Sequence, residues 1–199
     1  SRWQHPKRGM IPPHEFITIA EETNLIHSLG RWVIDSACKQ LQQWLELYSI
    51  EKCPYISINV SPIQLSHPHI TNEITKALAY YQIPGQLLVV ELTESALINN
   101  KQKVKQHLQA LRKLGVRIYL DDFGTGFSSL SLLRDFPIDV LKIDRSFIMG
   151  ICEQDNESQN LVRAIISMAK ALNMDVIAEG VEDLVTKNWL YSANCVTLQ

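Results

Sequence analysis

Val116-Arg117-Ile118-Tyr119-Leu120-Asp121-Asp122-Phe123-Gly124-Thr125-Gly126 is the stretch on which the fold turns. Val116 to Leu120 is a short apolar run of the kind that forms a strand buried on both faces in a parallel sheet. Two adjacent carboxylates then stand at its mouth, ahead of a glycine-rich turn. Acids at the end of a buried strand are forced to the rim, where a divalent cation can neutralise them. Asp-Asp also ends many strands as a plain turn or cap, so the pair needs support from the rest of the chain.

Working outward, similar runs recur at Tyr55 to Val60, Leu87 to Glu91, Val140 to Ile143, Asp175 to Ala178 and Cys195 to Leu198, giving six expected strands. Helical spacing fills the intervals. Val104, Leu108 and Leu111 lie on one face before Gly115, as do Leu161, Ile165, Met168 and Leu172. Upstream, Val33, Ala37, Leu41 and Trp44 predict a helix over 28–47, and Pro12-Pro13 opens a shorter one over 15–23. Trp32 and Trp44 are expected in the core. Ser1-Arg2-Trp3 carries no strand or helix signal.

Alternating strands and helices imply a parallel sheet with right-handed crossovers, either closed as a barrel or spread as a doubly wound sheet. No Gly-x-Gly-x-x-Gly follows an early strand, and polar groups cluster at the strand ends, as in barrel enzymes. The expected fold is therefore α/β, a TIM-like (β/α) barrel, with residues 1–199 as one domain.

Composition narrows the partners. The 19 basic and 21 acidic residues leave a net charge of -2, without the cationic surface that holds a nucleic acid polymer by counterion release. No run of 18 apolar residues is present, so no membrane contact is expected of this domain. Cys38, Cys53, Cys152 and Cys195 form no Cys-x-x-Cys pair, which fits small buried hydrophobes in a reducing cytosol. His67-Pro68-His69 reads as a solvent-facing loop, and the other histidines are scattered.

At the strand ends stand Asn59, Glu91, Asp121 with Asp122, Lys142, Glu179 and Gln199. These are oxygen donors with one lysine and no imidazole or thiolate, a set that selects Mg²⁺ or Mn²⁺ over zinc or copper. Each residue has an ordinary reading too. Asn59 would cap the helix after Pro62, and Glu91 and Glu94 would be first-turn acids of a helix. Lys142 inside an apolar strand needs a carboxylate partner or water, so an ordinary reading is harder to sustain there.

Asp121 to Leu130 (DDFGTGFSSL), Leu141 to Phe147 (LKIDRSF), Ile177 to Glu182 (IAEGVE), Glu91 to Glu94 (ELTE), Ser57 to Ser61 (SINVS) and Arg2-Trp3 with Pro12-Pro13-x-x-Phe16 resemble the EAL family of cyclic di-GMP phosphodiesterases. The resemblance implies hydrolysis of cyclic di-GMP to the linear dinucleotide by two Mg²⁺ or Mn²⁺ ions on a modified TIM barrel. It implies that Asn59, Glu91 and Asp121 hold one metal, and that Asp121, Asp122 and Glu179 hold the second. Lys142 corresponds to the lysine that holds the attacking water, Glu179 to the general base, and Glu94 to the anchor of the 121–129 loop. Arg2 and Asp144 match contacts to phosphate and guanine, and Gln199 a site glutamine. The family further implies a homodimer and fusion to upstream sensor or diguanylate cyclase (GGDEF) domains.

Two departures stand out. The Glu-Ala-Leu tripeptide is expected just ahead of Arg2, so the barrel is expected to be incomplete, lacking its opening strands, one metal-ligating glutamate and its closing segment. Expressed alone, the chain is then expected to be poorly active. Phe127 replaces a more usual tyrosine. A catalytically inactive cyclic di-GMP-binding sensor and a protein-interaction domain are the alternative functions.

Overall fold

The computed structural model describes residues 2–98, 100–124, 130–152 and 156–199. A two-stranded antiparallel ribbon comes first, β1 (Trp3–His5) and β2 (Gly9–Ile11), followed by α1 (Pro13–Glu22) and α2 (Ile26–Leu45). Strands and helices then alternate through β3 (Ile56–Asn59), α3 (Pro62–Ser66), α4 (Ile70–Tyr80), β4 (Leu88–Thr93), α5 (Ser95–Ile98), α6 (Lys101–Lys113) and β5 (Arg117–Phe123). The rest comprises α7 (Leu130–Asp135), β6 (Val140–Ile143), α8 (Arg145–Cys152), α9 (Asn156–Ala171), β7 (Asp175–Ala178), α10 (Leu184–Ser192) and β8 (Thr197–Leu198).

The six strands β3 to β8 are all parallel and lie side by side in chain order. A doubly wound sheet reverses direction at a switch point. Here nothing reverses, so right-handed crossovers deposit the helices on one face and the sheet curls away from them as a section of a TIM-like barrel. Successive residues of a strand serve opposite faces. Ile58, Val90, Leu92, Ile118, Leu120, Leu141, Ile143 and Ala178 join the helices in the main core, while Val89, Tyr119, Val140 and Ile177 form a separate apolar floor on the concave side. Two residues further along, that same concave row carries Glu91, Asp121, Lys142 and Glu179. The floor therefore closes the lower end beneath a polar layer.

Several expectations need correction. The first residues do form a strand: the Trp3–His5 ribbon turns through Gly9 at φ 73°, and His5 Nδ1 accepts the N–H groups of Lys7 and Arg8, both at 3.1 Å. Three-residue strands are too short to show alternation. Trp32 is 61% exposed rather than core, because α2 buries Ile26, Gly30, Ile34, Ala37, Cys38 and Leu41; Trp44 packs half-buried against them. Leu161 is also exposed, and the inner face of α9 is Val162, Ile165, Ile166 and Ala169. Cys38, Cys53 and Cys195 are buried free thiols, while the side chain of Cys152 lies outside the described residues. So do Phe127 and most of the 121–129 loop. His67 and His69 sit at the termini of α3 and α4, and the half-buried His67 ring lies 4.4 Å from that of His27.

Local chemistry fixes the entry to α3. Ser61 caps it, accepting from the Gln64 N–H at 3.3 Å, while Gln64 Oε1 accepts from the Ser61 N–H at 3.2 Å. This capping box satisfies donors at both positions. Ser61→Ala should therefore cost about 1 kcal/mol, read as a lower urea midpoint with unchanged slope. It also removes the ordinary reading of Asn59, whose side chain is not the cap.

Candidate active site

Adjacent residues in a regular strand point to opposite faces, so two neighbouring aspartates cannot ordinarily serve one site. The pairing of β5 with β6 resolves the conflict. Leu120 lies opposite Leu141 and the next pair is Phe123 with Ile143, so Asp121 and Asp122 together face the single residue Lys142. That extra residue is a β-bulge. Asp122 absorbs it with φ 53°, a left-handed conformation that aspartate tolerates through local hydrogen bonding, and its N–H reaches Asp121 Oδ1 at 3.2 Å. The strand thus runs to Phe123, and the acids lie inside it rather than beyond its end as the sequence implied.

Through the bulge, one oxygen each of Asp121, Asp122 and Glu179 come within 4.8 Å of one another. Glu179 follows β7 directly, and its N–H donates to Ile143 O at 3.1 Å, extending the β6–β7 ladder by one rung. Beneath them Lys142, only 3% exposed, reaches Glu179 Oε1 at 2.6 Å, Asp121 Oδ1 at 2.9 Å and Glu91 Oε2 at 3.6 Å. Glu91 is likewise buried within β4, not a first-turn helical acid.

The electrostatics follow from this crowding. Burial alone would push the Lys142 ammonium toward neutrality, but the hydrogen bonds it donates to Glu179 and Asp121 outweigh this and hold its pKa above the ordinary lysine value. Glu179 is pushed up by burial, partly offset by Lys142. Asp122 is pushed up by burial and then by the negative charges of Asp121 and Asp144. Four carboxylates around one ammonium leave an excess of negative charge in a half-buried site. A donor set of carboxylate oxygens fits hard divalent cations.

The other expected residues are distributed around this centre. Asn59 is exposed at the end of β3, paired in register with Glu91. Glu94 is buried in the turn between β4 and α5. Gln199 follows β8 and is locked to the β7 end, its N–H donating to Ala178 O at 2.9 Å and its carbonyl accepting from the Val181 N–H at 3.1 Å. Asp144 Oδ1 accepts the Ser146 N–H at 2.9 Å and the Ser146 hydroxyl, which pulls its pKa down and caps α8. Arg2 is exposed at the start of the ribbon, outside the six-stranded sheet. Arg145 and Phe147, given no role of their own by the sequence, pack their side chains on Gly180 and Gly124; a glycine just beyond each acidic strand end was the available signal.

Comparison with known proteins agrees with this architecture. The model of the EAL domain family matches residues 1–199. YkoW of Bacillus subtilis, described as a signaling protein, is 45% identical over 98% of this chain and 24% of its own length. PdeR of Escherichia coli, described as a cyclic di-GMP phosphodiesterase, is 44% identical over 94% of this chain and 28% of its own. Among solved structures, the PaMucR phosphodiesterase in complex with c-di-GMP superposes with a TM-score of 0.91 at 36% identity, covering all of this chain and 79% of that one. The chain spans about a quarter of the length of the curated relatives it matches. Family model, relatives and strand-by-strand geometry coincide, and the chain is a member of the EAL domain family.

Proposed function

We propose that the protein carrying this chain hydrolyses cyclic di-GMP to linear pGpG with two Mg²⁺ or Mn²⁺ ions. The observation that carries this reading is the bulge that brings Asp121, Asp122 and Glu179 together above Lys142. The phosphodiesterase names of its relatives and the nucleotide in the PaMucR structure support it. Asn59, Glu91 and Asp121 would hold one ion, and Asp121, Asp122 and Glu179 the other. When bound, the ions acidify a water and neutralise charge on the phosphate. Lys142 orients that water and offsets charge developing at phosphorus. Water oxygen bonds to phosphorus as Glu179 accepts one of its protons, the P–O3′ bond breaks, and the departing O3′ takes up a proton from solvent water. Arg2, Asp144 and Gln199 hold phosphate and guanine, and Glu94 anchors the 121–129 loop.

The test is chromatographic detection of pGpG from cyclic di-GMP incubated with the full-length protein, with Mn²⁺ or with excess EDTA. Undiminished hydrolysis in EDTA sinks the mechanism. Mn²⁺ alone should also stabilise the protein by relieving carboxylate repulsion, by about 2.7 kcal/mol at a hundred times its Kd, seen as a rise in Tm. As for assembly, the reading includes a homodimer and upstream sensor or diguanylate cyclase domains. No described helix is long and apolar enough to cross a membrane.

A further inference from the structure

The two strand ends that supply the carboxylate trio are both followed by a glycine with positive φ, Gly124 at 100° and Gly180 at 70°. In each case the space that a side chain would fill is already taken, and both occupants come from the first turn of α8. A Cβ on Gly124 would stand 2.6 Å from Phe147 Cε2 and 2.8 Å from Cζ. A Cβ on Gly180 would collide with the Cγ of Arg145 and lie within 2.9 Å of its Cβ and Cδ. Phe147 is itself held against the main core. Arg145 continues past Gly180, and its guanidinium reaches Glu182 Oε1 at 2.9 Å.

We propose that the first turn of α8 is a clamp, with Phe147 fixing the Asp121-Asp122 bulge through Gly124 and Arg145 fixing Glu179 through Gly180. Both are positioning residues, since neither carries a ligand atom into the trio. The inference rests on the functional reading of the site given above. Its physical basis is that carboxylates which repel one another without a cation will splay unless the backbone behind them is over-determined. Glu179 is already tied on one side by its N–H to Ile143 O, and Val181 by its N–H to Gln199 O. Arg145 covers the residue between them. The same helix turn reaches the bulge, so the spacing between β5 and β7 acids is set by one rigid element rather than by two independent loops.

The part of Arg145 in contact is its apolar stem, not its charge. The ion pair with Glu182 is exposed, with the two side chains 53% and 70% accessible, and exposed pairs contribute little. Long cationic side chains commonly bury their methylenes while the head stays in water. This separates the clamp from an electrostatic role. Arg145→Lys keeps the stem and should behave as wild type, and Glu182→Gln should be nearly neutral. Arg145→Ala and Phe147→Ala remove the packing and should fail.

The readout is Mn²⁺ affinity, measured by calorimetric titration of the full-length protein without nucleotide. Wild type, Arg145→Lys and Glu182→Gln should bind within about twofold of one another. Arg145→Ala and Phe147→Ala should bind roughly 10-fold more weakly, in the range seen when groups behind metal ligands are removed. Leu41→Ala, buried in α2 away from the strand ends, supplies a destabilised control that should keep wild-type affinity. Wild-type affinity in Arg145→Ala and Phe147→Ala overturns the clamp alone. Equal weakening in Leu41→Ala overturns it as well, since the effect would be general loosening. A wild-type protein that binds no Mn²⁺ overturns the functional reading and the clamp together.

Discussion

Asp121→Asn in the full-length protein should lower the rate of cyclic di-GMP hydrolysis about a thousandfold or more, roughly 4 kcal/mol of transition-state stabilisation. The size of the effect follows from its position. Asp121 is the residue that touches both halves of the site, hydrogen-bonded to Lys142 at 2.9 Å and converging with Asp122 and Glu179. Replacing one carboxylate oxygen by an amide nitrogen removes the bridge proposed between two cations while keeping shape and volume. The fold should not suffer. The metal-free site carries more negative charge than Lys142 balances, so losing one carboxylate should leave Tm in EDTA unchanged or slightly raised. A variant that keeps more than a tenth of wild-type kcat would show that the bridge lies elsewhere.

Lys142→Ala should act on both stability and turnover. Without the ammonium, Glu91, Asp121 and Glu179 face one another in a largely buried site with no counter-charge, a loss of about 3–5 kcal/mol in the metal-free protein. Excess Mn²⁺ should restore much of that, because the ions supply the missing positive charge. Turnover should remain down by about a hundredfold or more even when the variant is folded and metal-loaded, with KM within a few-fold of wild type. Arg2→Ala should show the reverse, a raised KM with kcat nearly intact, since its proposed contact to phosphate exists before the reaction begins. Steady-state kinetics of the two variants at saturating Mn²⁺ separates the roles. A large KM effect for Lys142→Ala and a large kcat effect for Arg2→Ala would mean that they are exchanged.

Much of this was legible in the residues because parallel strands buried on both faces leave long apolar runs, and all six were located to within a few residues. Strand ends at which polar groups recur then point to the site without knowledge of the connections. Leu161 was assigned inward from its spacing, but a helix lying on a sheet buries only the stripe that the sheet meets, and Leu161 lies about a quarter-turn off it; Trp32 was expected in the core, yet at the helical repeat it stands on the side of α2 opposite the buried stripe. The ribbon Trp3–His5 is held by a turn in which His5 accepts two backbone donors, an interaction without a periodic trace. Most instructive is Asp122. Its side chain was expected beside that of Asp121, and one oxygen of each does converge with Glu179, yet strict alternation forbids that placement; a register shift visible only in the paired strands permits it.

That shift also sets a limit on how this sheet can be improved. β5 holds one residue more than its neighbour needs, and a non-glycine residue sits at φ 53° to accommodate it. Removing Asp122 would let the ladder run unbroken and relieve the strained backbone, so selection for thermal resistance alone would favour the shorter strand. The product would be a sturdier scaffold with one acid where the chemistry asks for two. Robustness and the proposed activity pull in opposite directions at this single position.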